Sequence, residues 1–373
     1  MEIAVPKEIK RHEYRVGATP GCAGTYIEHG HSVMVQAGAG EGAGFNDDDY
    51  RRVGAEVLAE AKEIYARAEM IIKVKEPQPA EYQLLREGQI LYTYLHLAAD
   101  RPLAEFLIKR KVSALAYETI QEDDGSLPCL IPMSEIAGRL AVQAGVRYLE
   151  KPSGGRGVLL GGVPGVERGR VLIIGGGVVG ANACKMAVGS GALVIILETN
   201  TRRLAYLEDI FPSAVTTLFS NRANLAKSLP EADLVIGAVL IPGDRPPHII
   251  SRQDLALMKP GAVIVDVSVD QGGCVETTRP TTHDDPVYKV DGVLHYAVAN
   301  MPAAVPVTAT AALVNHTLKY GLLVADEGIE KAIKISPAIA KGMNTHQGHC
   351  VHLGVARALS LSHTPLDRLL AKA

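Results

Sequence analysis

Short apolar runs alternate with amphipathic stretches through the first third of the chain. Residues 3–5, 31–36, 70–74, 89–95 and 112–117 read as strands, and residues 20–29, most of 47–66 and 101–109 carry helical patterns. Such alternation predicts a parallel sheet with helices on both faces. Residues 129–133 (CLIPM) mark a boundary, and a helical pattern follows over 134–149, with Ser134 as the expected N-cap and Glu135 in the first turn. A second series of strands then appears at 171–174, 193–197, 214–218, 233–239, 262–267 and 295–298. Six strands fit the two-halved dinucleotide fold. From about residue 306 the pattern reads as helical to the end. The expected fold class is therefore α/β in two domains. A six-stranded Rossmann domain over 131–305 is inserted into a discontinuous α/β domain made of 1–130 and 306–373.

The stretch RVLIIGGGVVGANACKMAVGSGALVIILETN organises the inserted domain. Gly175, Gly177 and Gly180 stand at G-x-G-x-x-G spacing between a strand and a helix beginning at Val178. In such a unit the first glycine permits a tight turn, the second lets a pyrophosphate approach the backbone, and the third lets helix and strand pack closely. The helix N-terminus presents N–H groups to the phosphates. Glu198 ends the next strand, 23 residues after Gly175, where an acid accepts the adenosine ribose hydroxyls. That acid would repel a 2′-phosphate, which favours NAD over NADP. The bland alternatives are an α/β unit that kept its turn and binds nothing, and a solvated acid at a strand end.

Composition narrows the function classes. At 373 residues the chain can bury two cores, and a net charge of −3 leaves no electrostatic footprint for nucleic acid or a membrane surface. Five scattered cysteines without a C-x-x-C pair suit a reducing compartment rather than a disulfide frame or zinc site. The opening MEIAVPKEIK has no apolar signal region, and no apolar run approaches membrane length. These features predict a soluble, cytoplasmic protein.

Ligands of open α/β sheets bind beyond the carboxyl ends of the strands. Lys75 closes one predicted strand, His96 another, Asp270 and Asn300 follow two more, and Arg15 lies in the loop after the first. The pattern predicts a cleft with cations and an imidazole from one domain, a carboxylate and an amide from the other. Arg15 suits a forked hydrogen-bonded pair with a substrate carboxylate, or is a surface arginine in a charged loop. Lys75 suits a substrate carbonyl or carboxylate, or is a solvated lysine beside prolines. His96, which titrates near neutrality, is the general acid/base candidate, or a hydrogen-bonded core histidine between two leucines. Asp270 takes part in chemistry, or caps a turn before Gly272 and Gly273. His346, His349 and His352 form an H-x-x-H-x-x-H run, read as a helix surface without a metal, since no acid or cysteine completes a site.

The runs VPKEIKRHEYRV, IIKVKEP, YLHLA, SEIAGR, GGVPGV, GGGVVG, DLVIGAVL, VIVDVSVDQGG, ETTRPTTH and HYAVANMPAAVP, in this order, resemble the alanine dehydrogenase family of NAD-dependent oxidoreductases over almost the full length. The resemblance implies that Arg15 and Lys75 bind the substrate, that His96 and Asp270 are the acid/base residues, and that Asn300 lies with them. It places Ser134, Val178, Val179, Glu198, Arg203, Ser220, Val239, Leu240 and Arg279 against NAD. Val267, Ser268, Val269 and Asp270 join them, as do Val298, Ala299, Asn300 and Met301. It also implies a homo-oligomer, commonly a hexamer. Three places depart from the family pattern: Glu198 in place of Asp, Val307 in place of Arg, and NTHQG from Asn344 in place of NTYKG.

The activity so implied is reversible conversion of L-alanine to pyruvate and ammonium with NAD, without a metal. Two other readings stay open: the hydride-transferring soluble part of a proton-translocating transhydrogenase, and an NAD-binding module that senses nucleotide ratio without chemistry.

Overall fold

A computed structural model of the chain describes residues 1–239 and 247–371. The chain divides into two compact units, Met1–Met133 with Ala303–Ala373, and Ser134–Pro302.

The discontinuous unit holds the strands β1 (Glu2–Val5), β2 (Ser32–Gln36), β3 (Glu56–Leu58), β4 (Met70–Ile72), β5 (Ile90–Thr93) and β6 (Ser113–Ala116). Their order in the sheet is β6-β5-β4-β1-β2-β3, all parallel. Residues 47–66 were expected to be mostly helical. Instead the helix Asp47–Arg52 stops at Gly54 (φ 92°), β3 follows at the sheet edge, and a second helix runs over Ala61–Arg67. The expectation of helix to the C-terminus also fails in part. The helix Pro306–Glu327 is there, but a hairpin of β14 (Met343–His346) and β15 (His349–Cys350) adds antiparallel strands beyond β6. The three histidines of the spaced run therefore share no helix surface. His346 and His349 lie on the hairpin, and His352 is the N-cap of the helix Leu353–Leu359.

The second unit contains β7 (Arg170–Ile174), β8 (Leu193–Glu198), β9 (Val215–Phe219), β10 (Leu234–Gly237), β11 (Val263–Asp266), β12 (Val287–Val290) and β13 (Val293–Tyr296). Their order is β12-β13-β11-β10-β7-β8-β9, parallel except for β12. The six expected strands are present, and β12 adds a seventh as an antiparallel edge. Side chains alternate between two cores: Val171, Ile173, Leu234 and Ile236 pack on one face, while Leu172, Ile174, Val235 and Ile264 pack on the other. Burial on both faces is why these strands are continuous apolar runs rather than alternating ones. The long helix here is Ile131–Leu149, so Ser134 lies within its first turn and is not the N-cap.

Candidate functional site

In chain order the second unit's parallel strands β7, β8, β9, β10, β11 and β13 adopt the arrangement 3-2-1-4-5-6, whose direction reverses between β7 and β10. At that switch point lies the glycine loop. Gly175 has φ 98°, and a Cβ added to it would come 2.6 Å from the carbonyl oxygen of Ala238, just past the neighbouring strand β10. At Gly180 an added Cβ would lie 1.9 Å from the Gly175 carbonyl oxygen, whereas at Gly177 it would meet no atom of the described residues within 4 Å. Gly177 is the N-cap of the helix Val178–Gly189 and supplies no side-chain acceptor, so the first-turn N–H groups have no side-chain cap. Open space over an uncapped helix N-terminus is the cradle a pyrophosphate needs, and the residues fit a dinucleotide.

Glu198 ends β8 beside this loop. One carboxylate oxygen accepts from the Gly176 N–H at 2.7 Å, and the other accepts from the N–H groups of Thr199 (2.7 Å) and Asn200 (2.9 Å). Burial pushes the Glu198 pKa up, but these backbone donors outweigh it and hold the carboxyl below its ordinary range. Arg203 donates to the carbonyls of Gly176 (2.5 Å) and Gly177 (3.3 Å), which fastens the outer side of the loop. The remaining predicted contacts follow the carboxyl ends along the same sheet edge: Ser220 after β9, Val239 after β10, residues 267–270 after β11, and residues 298–301 after β13. Ser268 donates from its hydroxyl to the Val239 carbonyl at 2.6 Å. Arg279 stacks on Tyr288 with its guanidinium carbon 4.2 Å from the ring centre. Leu240 lies outside the described residues.

Asp270 is exposed in the 3₁₀ turn Val267–Gln271, and it does not cap the turn. That task falls to buried Asp266, which accepts from the N–H groups of Ser268 (3.0 Å), Cys274 (2.9 Å) and Val275 (3.3 Å). Asn300 has a left-handed backbone, φ 63°.

In the discontinuous unit the strands β1 to β6 repeat the 3-2-1-4-5-6 order, with the switch between β1 and β4. Arg15 follows β1, Lys75 follows β4 and His96 follows β5, so three adjacent strands bring the predicted residues to one sheet edge. Arg15 is only 2% exposed, which removes the surface-loop reading. Its fork is also already engaged: Nε and Nη2 each donate to Glu13 at 2.6 Å, while Nη1 lies 3.0 Å from Met133 Sδ. Burial opposes the charge, but Glu13 more than offsets it and holds the guanidinium protonated.

Lys75 is buried rather than solvated, at 8% exposure. His96 is exposed and so is not a core histidine; its backbone is left-handed (φ 49°) and its ring stacks parallel to Tyr94 with centres 5.9 Å apart. Glu118 accepts from the N–H of His96 at 2.6 Å and of Leu95 at 3.2 Å. Glu8, Glu13, Lys73, Glu118 and Asp266 were all missed by sequence reasoning. A lysine inside the apolar strand pattern MIIKV was a usable signal for Lys73, since buried charges need partners.

Among the described residues no cluster of three His, Cys, Asp or Glu side chains is placed to hold a metal ion, and no helix is long and apolar enough to cross a membrane. Residues 4–137 match the family described as Alanine dehydrogenase/PNT, N-terminal domain, and residues 141–353 match its C-terminal domain. The chain belongs to the alanine dehydrogenase/PNT family. Within that family it is 54% identical to the alanine dehydrogenase of Methanococcus maripaludis, over 99% of this chain and 100% of that one. The alanine dehydrogenase of Bacillus subtilis is 53% identical, over 99% and 98% of the two chains. A solved structure of an L-alanine dehydrogenase superposes with a TM-score of 0.94 at 54% identity, covering 96% of this chain and 99% of the other. A transhydrogenase from Sinorhizobium meliloti shares the fold at 22% identity, with a TM-score of 0.80 over 95% and 99% of the two chains.

Proposed function

We propose that this protein catalyses the reversible oxidation of L-alanine with NAD and water to pyruvate, ammonium, NADH and a proton. The observation that carries the reading is the likeness, at 53–54% identity over nearly the whole chain, to two relatives named alanine dehydrogenase. The Glu198 carboxylate beside the glycine loop favours NAD over NADP, because it would repel a 2′-phosphate. When bound, the nicotinamide ring accepts the hydride from the substrate Cα or returns it.

Lys75 and Arg15 hold the substrate carboxylate and so fix Cα for transfer. His96, an exposed imidazole on a fixed backbone, takes the proton that leaves the alanine ammonium group, since hydride loss requires a neutral amine. It then serves the water that attacks iminopyruvate and the nitrogen that departs as ammonia. Asp270 is the second acid/base group, stabilising the cationic imine, and Asn300 assists substrate binding. A homohexamer working in the cytoplasm on L-alanine catabolism completes the proposal.

NADH absorbance tests it, with pyruvate and ammonium each omitted in turn. Decay that needs both substrates, and that falls sharply in His96→Ala and Asp270→Asn, is expected. Decay with pyruvate alone would make the protein a hydroxy-acid dehydrogenase. No decay with NADH binding intact would defeat the alanine dehydrogenase reading and favour the sensing module.

A further inference from the structure

Strand β4 stops at Ile72, yet the functional lysine lies three residues further on, where β1 no longer runs alongside. The N–H groups of Val74 and Lys75 there need acceptors, because buried backbone donors are rarely left unpaired. The side chain of Glu8, just past the end of β1, supplies both: Oε1 is 2.6 Å from the Val74 N–H nitrogen and 3.2 Å from that of Lys75. On the other side the Thr93 hydroxyl, at the end of β5, donates to the Lys75 carbonyl at 3.0 Å, and the Tyr94 N–H donates to the Val74 carbonyl at 3.2 Å. The peptide of Lys75 is thus held at its N–H and its C=O by side chains from two different elements.

A charged acceptor is an expensive choice for this task. Glu8 is buried, so Lys73 must answer it, with its ammonium 3.2 Å from Oε2 and its own side chain 0% exposed. Lys73 in turn reaches Glu81 at 2.8 Å, and Glu81 accepts from the Tyr65 hydroxyl and the Gln78 N–H, each at 2.8 Å. Burial pushes Glu8 above the ordinary carboxylate range against the pull of Lys73, while Glu8 and Glu81 hold Lys73 protonated. Apolar residues of similar volume stabilise a fold as well as such buried ion networks do. What a network adds is a rigid seat for a functional group.

We propose that Glu8 and Thr93 are positioning residues for Lys75, with Lys73 as the counter-ion that keeps Glu8 in place. The role rests on the reading of Lys75 as the ligand of the substrate carboxylate. Steady-state kinetics of the full-length enzyme test it, with pyruvate and NADH varied separately and Tm recorded. Glu8→Gln keeps one acceptor oxygen and removes the charge that Lys73 answers; Thr93→Val keeps the shape and removes the donor. The expected result is a rise in pyruvate KM of about tenfold for Glu8→Gln and about threefold for Thr93→Val, with NADH KM within about twofold of wild type. A pyruvate KM that does not move, or pyruvate and NADH KM values rising together, overturns the role. If Glu8→Gln does not fold, Thr93→Val decides by the same criteria. Lys75→Ala separates the two levels of inference. An unchanged pyruvate KM in that variant defeats the substrate-site reading itself. A raised KM there, with Glu8→Gln and Thr93→Val unchanged, defeats only the positioning role.

Discussion

A methyl group added at Gly180 would lie 1.9 Å from the Gly175 carbonyl oxygen, while one added at Gly177 meets no atom of the described residues within 4 Å. The same substitution therefore has two outcomes. Gly180→Ala must push helix from strand, and overpacking of this kind costs about 1–3 kcal/mol or more, so its thermal midpoint falls clearly. Gly177→Ala keeps the wild-type midpoint, but its methyl occupies the space a pyrophosphate needs, and NADH affinity by fluorescence titration falls by about tenfold or more. Equal midpoints for the two variants would contradict this division. Glu118 invites a comparable experiment. Holding a non-glycine residue in the left-handed region costs roughly 1 kcal/mol, and at His96 the Glu118 carboxylate supplies the hydrogen bond that offsets it. Glu118→Gln weakens that grip, and kcat should fall by about tenfold while NADH KM stays within about twofold; a normal kcat would show that His96 does not depend on it. His96 itself was legible in the sequence because an ionisable residue at a strand end is a local signal. Glu118 was not, because it meets His96 through a backbone N–H, and every residue type but proline offers that group.

At the scale of elements, long periodic segments were legible and short edge pieces were not. The helix Pro306–Glu327 and the buried strands of both sheets follow directly from their patterns. Strands β3 and β15 have three and two residues, too few for a period to register. The β14–β15 hairpin turns on Gln347 (φ 47°) and Gly348 (φ 84°), a tight pair with both φ positive, but without the Asn-Gly signature that announces it. That hairpin makes a pH prediction. His346 is 2% exposed; its Nδ1 pairs with the Ser113 hydroxyl at 2.9 Å, and Nε2 is buried without a partner among the described residues. Burial, against the pull of Glu330, holds its pKa below the ordinary value of 6.5. The unfolded chain then binds the proton more readily than the folded one. The neutral ring's contribution to stability is present above about pH 6.5 and is lost as pH falls through the lower folded pKa. The chemical-denaturation midpoint should decline below about pH 6.5, and His346→Gln should flatten that decline. An identical slope in wild type and variant would assign the acid sensitivity to other groups.

For the molecule as a whole, two sheets repeat one topology in two units that differ in how they are encoded. Both place their parallel strands in the order 3-2-1-4-5-6, and in both the candidate residues follow the strands at or near the reversal. Strand–helix alternation made the parallel class legible, but alternation carries no information about where a chain leaves one core and returns to it. The cores do carry it. Every residue in the two clusters that flank the sheet of the second unit lies between Leu140 and Met301. A core cluster of the other unit draws Cys350, Val355, Ala356 and Leu359 from the far end of the chain. The Tyr92 hydroxyl, moreover, donates to the Thr317 carbonyl at 2.8 Å. A fragment of residues 131–302, which keeps the whole helix Ile131–Leu149, therefore contains both of these clusters and its glycine loop. It should melt cooperatively by circular dichroism and bind NADH with a Kd within about tenfold of the full chain. A fragment of residues 1–133 lacks both the C-terminal helix and part of its core, and should remain unfolded under the same conditions. Should 131–302 prove unfolded, the second unit would depend on the rest of the chain for its stability. Should it fold without binding NADH, the glycine loop would not be sufficient for cofactor affinity.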